Sequence, residues 1–189
     1  MDKKLQISIC ILIGLVCLYL YDSSKQKGYQ DSYIDIFNFD HSKINKVIIL
    51  KGNDGIEIER NDSTWKINGH DSLIIKNSSI DKLFDETLIV KMNKLPVSST
   101  PKDLSIYSLD STRAINLILS DINGNTLSDA MFGISPSNYY SNFYKNSDEE
   151  AVYKTNSNIM TYLTTNLKYW GEIPQEVIPD STVITPSDL

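Results

Sequence analysis

The feature that most constrains this chain is a long, mostly apolar run near its start. Lys3 and Lys4 precede the run, which extends from Leu5 to Tyr21. As a helix it would measure roughly 25 Å, close to the lower limit for crossing the hydrocarbon core of a bilayer. Its exit through "LYLY" lacks the small residues of a signal-peptidase site. We therefore predict an uncleaved transmembrane helix over residues 5–21, in contact with membrane lipid, after a cytoplasmic stub at residues 1–4.

Two other interpretations of this segment remain. A cleaved signal peptide would normally have a shorter apolar region, and a lipoprotein would carry a small residue before its cysteine. Cys10 follows an isoleucine and Cys17 follows a valine, which fits a lipoprotein poorly. The leading lysines favour an inside N-terminus. We predict a single-pass protein of the bacterial cytoplasmic (inner) membrane whose N-terminus is inside and whose domain is extracytoplasmic.

Composition narrows the chemistry of the remaining chain. The sequence has 189 residues, of which 41% are hydrophobic and 22% charged, as expected of one globular domain. Its net charge of -6 gives no reason to expect nucleic acid as a partner. Both cysteines lie in the apolar run, so the rest of the chain has neither a disulfide nor a thiolate metal site. We expect no metal and no small-molecule cofactor.

Turn residues and alternating apolar residues predict a first β-meander. "SYIDIFNFD" is a short strand or an extended lead-in, and "KVIIL" is a continuous apolar strand that we expect to be buried on both faces. "KGNDG" is a turn in which Gly52 and Gly55 can adopt positive φ. "IEIER" then alternates with Ile56 and Ile58 inward, and "TWKI" returns after a second turn with Trp65 and Ile67 on one face.

An amphipathic helix is predicted after this meander. Ser78 or Ser79 can cap its N-terminus, and Asp81 suits the positive end of the helix dipole. One face carries a mostly apolar stripe of Ile80, Leu83, Phe84, Thr87, Leu88 and Lys91. Pro96 follows and ends the block.

A second block repeats this order at an interval of roughly seventy residues. "AINLIL" is a strand, "SDINGN" a turn around Gly124, "TLSDAMF" a returning strand, and "AVYK" takes the place of "TWKI". A helix is predicted from Asn158 to Tyr169. The pattern indicates a duplication, although two meander units could also resemble each other by chance.

The predicted class is therefore α+β, with two similar antiparallel β-meander-plus-helix units behind one N-terminal transmembrane helix. A linker at 22–32 leads to the extracytoplasmic domain at 33–170. The units cover about 43–95 and 112–170, and a flexible tail follows at 171–189.

Several segments, taken in order, resemble the bacterial domain of unknown function 4340 family. They are the anchor, the tryptophan strand "DSTWKI", the middle segment "PKDLSIYSLD", the glycine of "FGISPSNYY" and the Val-Tyr strand "AVYK". The resemblance covers the chain from about Ile34 to Trp170. Ser108 stands where the family usually has a glycine. The resemblance implies an envelope protein that accompanies gliding-motility-type ABC transporter components, and it brings no catalytic residues.

The sequence offers little for catalysis. "DINGNTLSD" has its glycine at the fourth position rather than the sixth that an EF-hand needs, so a hairpin turn is the better interpretation. His70 in "GHDS" and His41 in "FDHSK" fit solvated loops. No carboxylate pair or phosphate loop stands out. We therefore predict that the protein is not an enzyme.

The most suggestive stretch for binding is "SNYYSNFYKN". Its rings, at Tyr139, Tyr140, Phe143 and Tyr144, offer contact area at low entropic cost, and we take them as the candidate partner-binding residues. The other interpretation is that these rings pack on the core. We predict a partner-binding accessory component of an ABC-transporter-type envelope system, and alternatively a binding module for an envelope glycan or polymer.

Overall fold

The body of the protein is built on one seven-stranded antiparallel sheet. The computed structural model describes residues 11–21 and 33–174. Helix α1 is residues 11–21, α2 is Asn77–Lys82 and α3 is Leu167–Trp170. The strands are β1 (Tyr33–Asp35), β2 (Lys46–Lys51), β3 (Asp54–Asn61), β4 (Thr64–Ile67), β5 (Ile74–Ile75), β6 (Lys91–Asn93), β7 (Ile115–Ser120), β8 (Thr126–Ile134), β9 (Asn142–Asn146), β10 (Tyr153–Lys154) and β11 (Gly171–Glu172). The predicted α+β class is confirmed, with strands dominating.

The sheet joins two meanders through their first strands. Its order is β10-β9-β8-β7-β2-β3-β4, so β2 and β7 are neighbours at the centre. They pair antiparallel, with Val47 opposite Leu119 and Ile49 opposite Leu117. All four side chains are buried. The third strand of the second meander is β9, and "AVYK" contributes β10 as a fourth, so its predicted equivalence to "TWKI" is wrong.

The buried faces follow strand alternation. Ile56 and Ile58 of β3 point into the core as predicted. Burial of both faces of β2 is a wrong prediction, because Leu50 is exposed on the outer face of an antiparallel sheet. Gly52 adopts φ 58° in the β2–β3 turn, and Gly124 adopts φ 82° in the β7–β8 turn. Gly55 instead lies inside β3.

The predicted first helix exists but is shorter than expected. Helix α2 continues into one π-helical turn, Leu83–Thr87, and Lys91 belongs to β6. The apolar stripe is otherwise confirmed, since Ile80, Leu83 and Leu88 are buried. The N-cap position is Lys76 rather than a serine. The hydroxyl of Ser79 instead donates to the carbonyl O of Tyr169 over 2.6 Å, which ties the helix to the end of the domain.

The predicted helix at 158–169 is wrong. Residues 160–162 form a turn, and only α3 at the end of the segment is helical. The β-branched residues of "TYLTTN" favour helix poorly. Asn166 then caps α3 by accepting a hydrogen bond from the Lys168 N–H over 3.0 Å, so the helix begins after it. The segment still supplies the core with Ile159, Leu163 and Trp170.

The ends of the chain are described only in part. Gly171–Glu172 is the strand β11, paired with β5, so the predicted flexible tail is wrong at these two residues. The rest of that tail from residue 175, the linker at 22–32 and residues 1–10 lie outside the described residues. Of the predicted span at 5–21, residues 11–21 are helical. Among the described helices, none combines the length and apolar character needed to cross a membrane.

A close backbone approach fixes β8 against the segment before β7. A Cβ added at Gly133 would overlap the carbonyl O of Tyr107 and lie 2.9 Å from that of Ser108. Ser108 itself adopts φ 55°, the left-handed conformation that glycine favours. Gly133 is therefore required for space.

We expect Gly133→Ala to lower the free energy of unfolding by about 3 kcal/mol, because the blocking atoms are backbone atoms that cannot rotate away. Chemical denaturation measures this loss. Gly55→Ala is the matched control, since its Cβ would come too close only to the flexible end of the Leu50 side chain, at 2.8 Å, and would lie 3.7 Å from the carbonyl O of Ile49, an ordinary contact. Equal stability losses in the two variants would contradict the close approach.

Candidate functional site

The loop between β8 and β9 presents two tyrosines to solvent. Tyr139 is 78% exposed and Tyr140 is 85% exposed, the highest value for any large apolar side chain in the described chain. We call residues 135–141 the tyrosine loop. Two adjacent aromatic side chains with this exposure offer a large apolar area to another molecule, so the loop is the first candidate for a contact surface.

Hydrogen bonds hold the backbone of the tyrosine loop. The N–H of Tyr140 donates to Oδ1 of Asn138 over 2.9 Å. Nδ2 of Asn158 donates to the carbonyl O of Tyr139 over 2.8 Å, which attaches the loop to the segment after β10. The rings are therefore presented by a supported backbone, which reduces the entropy lost when a partner binds.

A buried polar junction anchors the C-terminal end of the loop. Asn142 is 1% exposed, and its N–H donates to Oγ1 of Thr155 over 2.6 Å. Its Oδ1 accepts from the N–H of Ile159 over 2.9 Å. Because both partners belong to the chain after β10, this junction fixes the loop and the later segment in one arrangement.

The other two candidate rings lie elsewhere. Phe143 is half-buried on the outer face of β9, where its ring makes an edge-to-face contact with Tyr107 at a centroid distance of 5.1 Å. Tyr144 is 4% exposed and packs on Phe132 at 5.5 Å in the core. Neighbouring residues of a strand point to opposite faces, which separates these two rings. The structure therefore brings together Tyr139 and Tyr140, and places Tyr144 in the core.

Sequence reasoning missed two exposed aliphatic residues at the same end of β8. Ile134 ends the strand and is exposed, and Ile106 is exposed in the 3-10 turn Leu104–Tyr107. The approach of Tyr107 to Gly133 brings that turn to this end of β8. Single isoleucines form no sequence pattern that predicts a binding surface. Their proximity becomes apparent only in the structure, where two segments distant in sequence approach each other.

The turn that invited a calcium interpretation is a hairpin turn. Oδ1 of Asp121 accepts hydrogen bonds from the N–H groups of Asn123 and Asn125, over 2.9 and 2.8 Å. The hydrogen bonds with Asn125 hold the pKa of Asp121 below its ordinary value. The carboxylate is thus occupied by the turn itself. Among residues 11–21 and 33–174, no three His, Cys, Asp or Glu side chains are grouped to hold a metal ion.

An open polar cleft of about 390 Å³ lies beside the β2–β3 hairpin, where it meets residues 164–167. Asp54, Glu57 and His70 contribute to its lining. Glu57 is already paired with Lys46 over 2.7 Å, and that hydrogen bond lowers the pKa of the Glu57 carboxyl. The Glu57 carboxylate is therefore held in its ionised form by an ion pair, which does not suit a general acid.

Comparison with known proteins gives no match. No protein-family model matches the chain, and neither a curated protein nor a solved structure does. The resemblance to the domain of unknown function 4340 family therefore stays a prediction based on the segments quoted above.

Burial of Tyr144 predicts a specific alkaline instability. Removal from water raises the pKa of Tyr144 to about 12, with a smaller effect from Glu149. A phenol whose pKa is higher folded than unfolded contributes stability below its unfolded pKa of about 10, and this stability is lost as the pH rises through its folded pKa. Between about pH 9.5 and pH 12, we expect the free energy of unfolding to fall in both proteins. The fall in Tyr144→Phe should be smaller than the fall in the parent protein by about 2–3 kcal/mol.

Urea unfolding at the two pH values measures this difference. Tyr140→Phe is the control, because it removes the same hydroxyl group from an exposed side chain. The same loss in Tyr144→Phe and in the parent protein would contradict the burial of Tyr144.

Proposed function

We propose that the protein is a membrane-anchored, extracytoplasmic domain of the bacterial envelope that binds another protein and catalyses no reaction. In this proposal residues 5–21 are the transmembrane anchor and the body lies outside the cytoplasmic membrane. The partner is a component of an ABC-transporter-type system, as the family resemblance implies. The observation that carries the proposal is the pair of exposed tyrosines on the supported tyrosine loop.

The chemistry of this loop suits a protein contact. Tyrosine combines a large apolar ring with a hydroxyl that can find a polar partner, and it is enriched among residues that dominate binding energy. Tyr139 and Tyr140 each have only two side-chain torsions to fix. Their backbone is already held by Asn138 and Asn158, so little further order must be imposed on binding.

Helix α1 supports the anchor. Its side chains are apolar or small throughout residues 11–21, and each of them is exposed in the structure. A helix that is apolar on every side is stable when something apolar surrounds it, and a bilayer does so without further partners. Residues 5–10, which are apolar except for Gln6 and Ser8, extend the sequence toward Lys3 and Lys4.

The two meanders also support the duplication, restricted to their strands. Val47 and Ile49 of β2 match Leu117 and Leu119 of β7 at an interval of roughly seventy residues. Ile48 lies opposite Ile118 at the middle of the β2–β7 pairing, as related strands about a two-fold axis would place them. The proposed duplication does not extend to the helix that was predicted to end each unit.

The tyrosine loop gives a direct test of partner binding. We expect the double substitution Tyr139→Ala/Tyr140→Ala to reduce crosslinking to the partner in native membranes by at least about tenfold, because two exposed rings carry the contact. Mass spectrometry of the crosslinked products should return transporter subunits.

The matched control is Ile122→Ala, which removes an equally exposed apolar side chain in the β7–β8 turn, at the opposite end of β8 from the tyrosine loop. It should leave crosslinking unchanged, and neither variant should change the melting temperature by more than a few degrees. Undiminished crosslinking in the double variant would exclude the loop. Retention on cell-wall polysaccharide that depends on the same two tyrosines would favour the glycan-binding alternative.

A further inference from the structure

A second apolar surface lies at one end of the ribbon formed by β1 and β6. Tyr33 pairs with Asn93, so the start of β1 lies beside the end of β6, and Lys94 and Leu95 continue from that end. Ile34 is 41% exposed and Leu95 is 56% exposed. We call Tyr33, Ile34, Lys94 and Leu95 the ribbon tip.

The ribbon tip is exposed to solvent and has few strand partners. All three residues of β1 are exposed, and among the described strands β1 pairs only with β6. β6 is attached to the body by the bridge between Met92 and Thr155, so β1 is the less supported strand of the ribbon. A surface that covers the tip would stabilise the ribbon, and the position of the tip along the chain indicates which surface that is.

The chain enters the body at the ribbon tip. Helix α1 ends at residue 21, and residues 22–32 lead directly to Tyr33. Even fully extended, that connection spans at most about 40 Å. If α1 lies in a bilayer, the tip is the point of the body that the chain tethers to the lipid, at no more than that distance from the end of α1.

The composition of the tip suits the water–lipid boundary. Tyrosine is enriched there because its ring is apolar and its hydroxyl is polar, and lysine can extend its charge toward headgroups while its stem stays in apolar surroundings. Ile34 and Leu95 add aliphatic area. The charged pair of the ribbon, Asp35 and Lys91 at 3.1 Å, lies at the other end of the pairing, away from the tip.

We propose that the ribbon tip rests in the headgroup region of the bilayer that holds α1. This inference rests on the anchor of the proposed function. At headgroup depth water still reaches the free edge of β1, so the contact leaves no strand edge unsatisfied in hydrocarbon. The tip then acts as a second attachment point that fixes how the body is oriented on the membrane.

Spin labels on the full-length chain in lipid nanodiscs test this contact. The background carries Cys10→Ser and Cys17→Ser, and single cysteines are introduced by Ile34→Cys, Leu95→Cys, Ile122→Cys and Ile13→Cys. Collision rates are measured with oxygen, which concentrates in lipid, and with a water-soluble nickel chelate. We expect labels at 34 and 95 to collide with the chelate at least about threefold less than the label at 122.

The label at residue 13 separates the inference from the anchor. Chelate access at 34 and 95 equal to that at 122, with the label at 13 protected, would overturn the membrane contact of the tip and leave the anchor intact. A label at 13 that is open to the chelate would overturn both. Using two tip positions guards against a local disturbance of β1 by one substitution.

Discussion

The structure depends on the antiparallel pairing of β2 with β7. Each is the first strand of its own meander, and together they place Val47, Ile49, Leu117 and Leu119 at the centre of one buried surface. Neither meander alone is covered by a long helix, since α2 has six residues and α3 has four. Joined edge to edge, they share the cover supplied by α2 and by the segment that ends at Trp170.

The C-terminal end of the body packs against the segment that leads into α2. Trp170 is fully buried, and its indole N–H donates to the carbonyl O of Thr164 over 2.6 Å. Its own carbonyl accepts from the N–H of Lys76 over 2.7 Å, just before α2. The pairing of β11 with β5 continues this contact. The last part of the body therefore packs on the helix of the first meander, so the two halves depend on each other.

Local chemistry made the meanders predictable. Gly52 and Gly124 mark turns that require positive φ, and alternation in β3 identified the inward residues Ile56 and Ile58. The α+β class followed from these signals. What the sequence did not reveal is non-local. The β2–β7 pairing joins strands that are far apart in the chain. The irregular path of residues 158–166 includes a hydrogen bond from the N–H of Ile159 to Oδ1 of Asn142, which no periodicity predicts.

The candidate site was likewise predictable from the sequence only in part. The cluster of rings between Ser137 and Asn146 was visible in the sequence, but their separation depends on where β9 begins. Because the strand starts at Asn142, Tyr139 and Tyr140 stay in the loop while Tyr144 turns into the core. A shift of one residue in the pairing of β9 with β8, which places Tyr144 opposite Phe132, would have exchanged the faces of Phe143 and Tyr144. A boundary of this kind is set by tertiary contacts such as the bond from Asn142 to Thr155.

Native-state hydrogen exchange across a denaturant series tests the central pairing most directly. If β2 and β7 unite the two meanders, the slowest amides of β3 and of β8 should exchange with the same opening free energy, within about 1 kcal/mol, and with the same dependence on denaturant. Two separate opening free energies, with β2–β4 released while β7–β9 stays protected, would show that the meanders fold independently and would contradict the account.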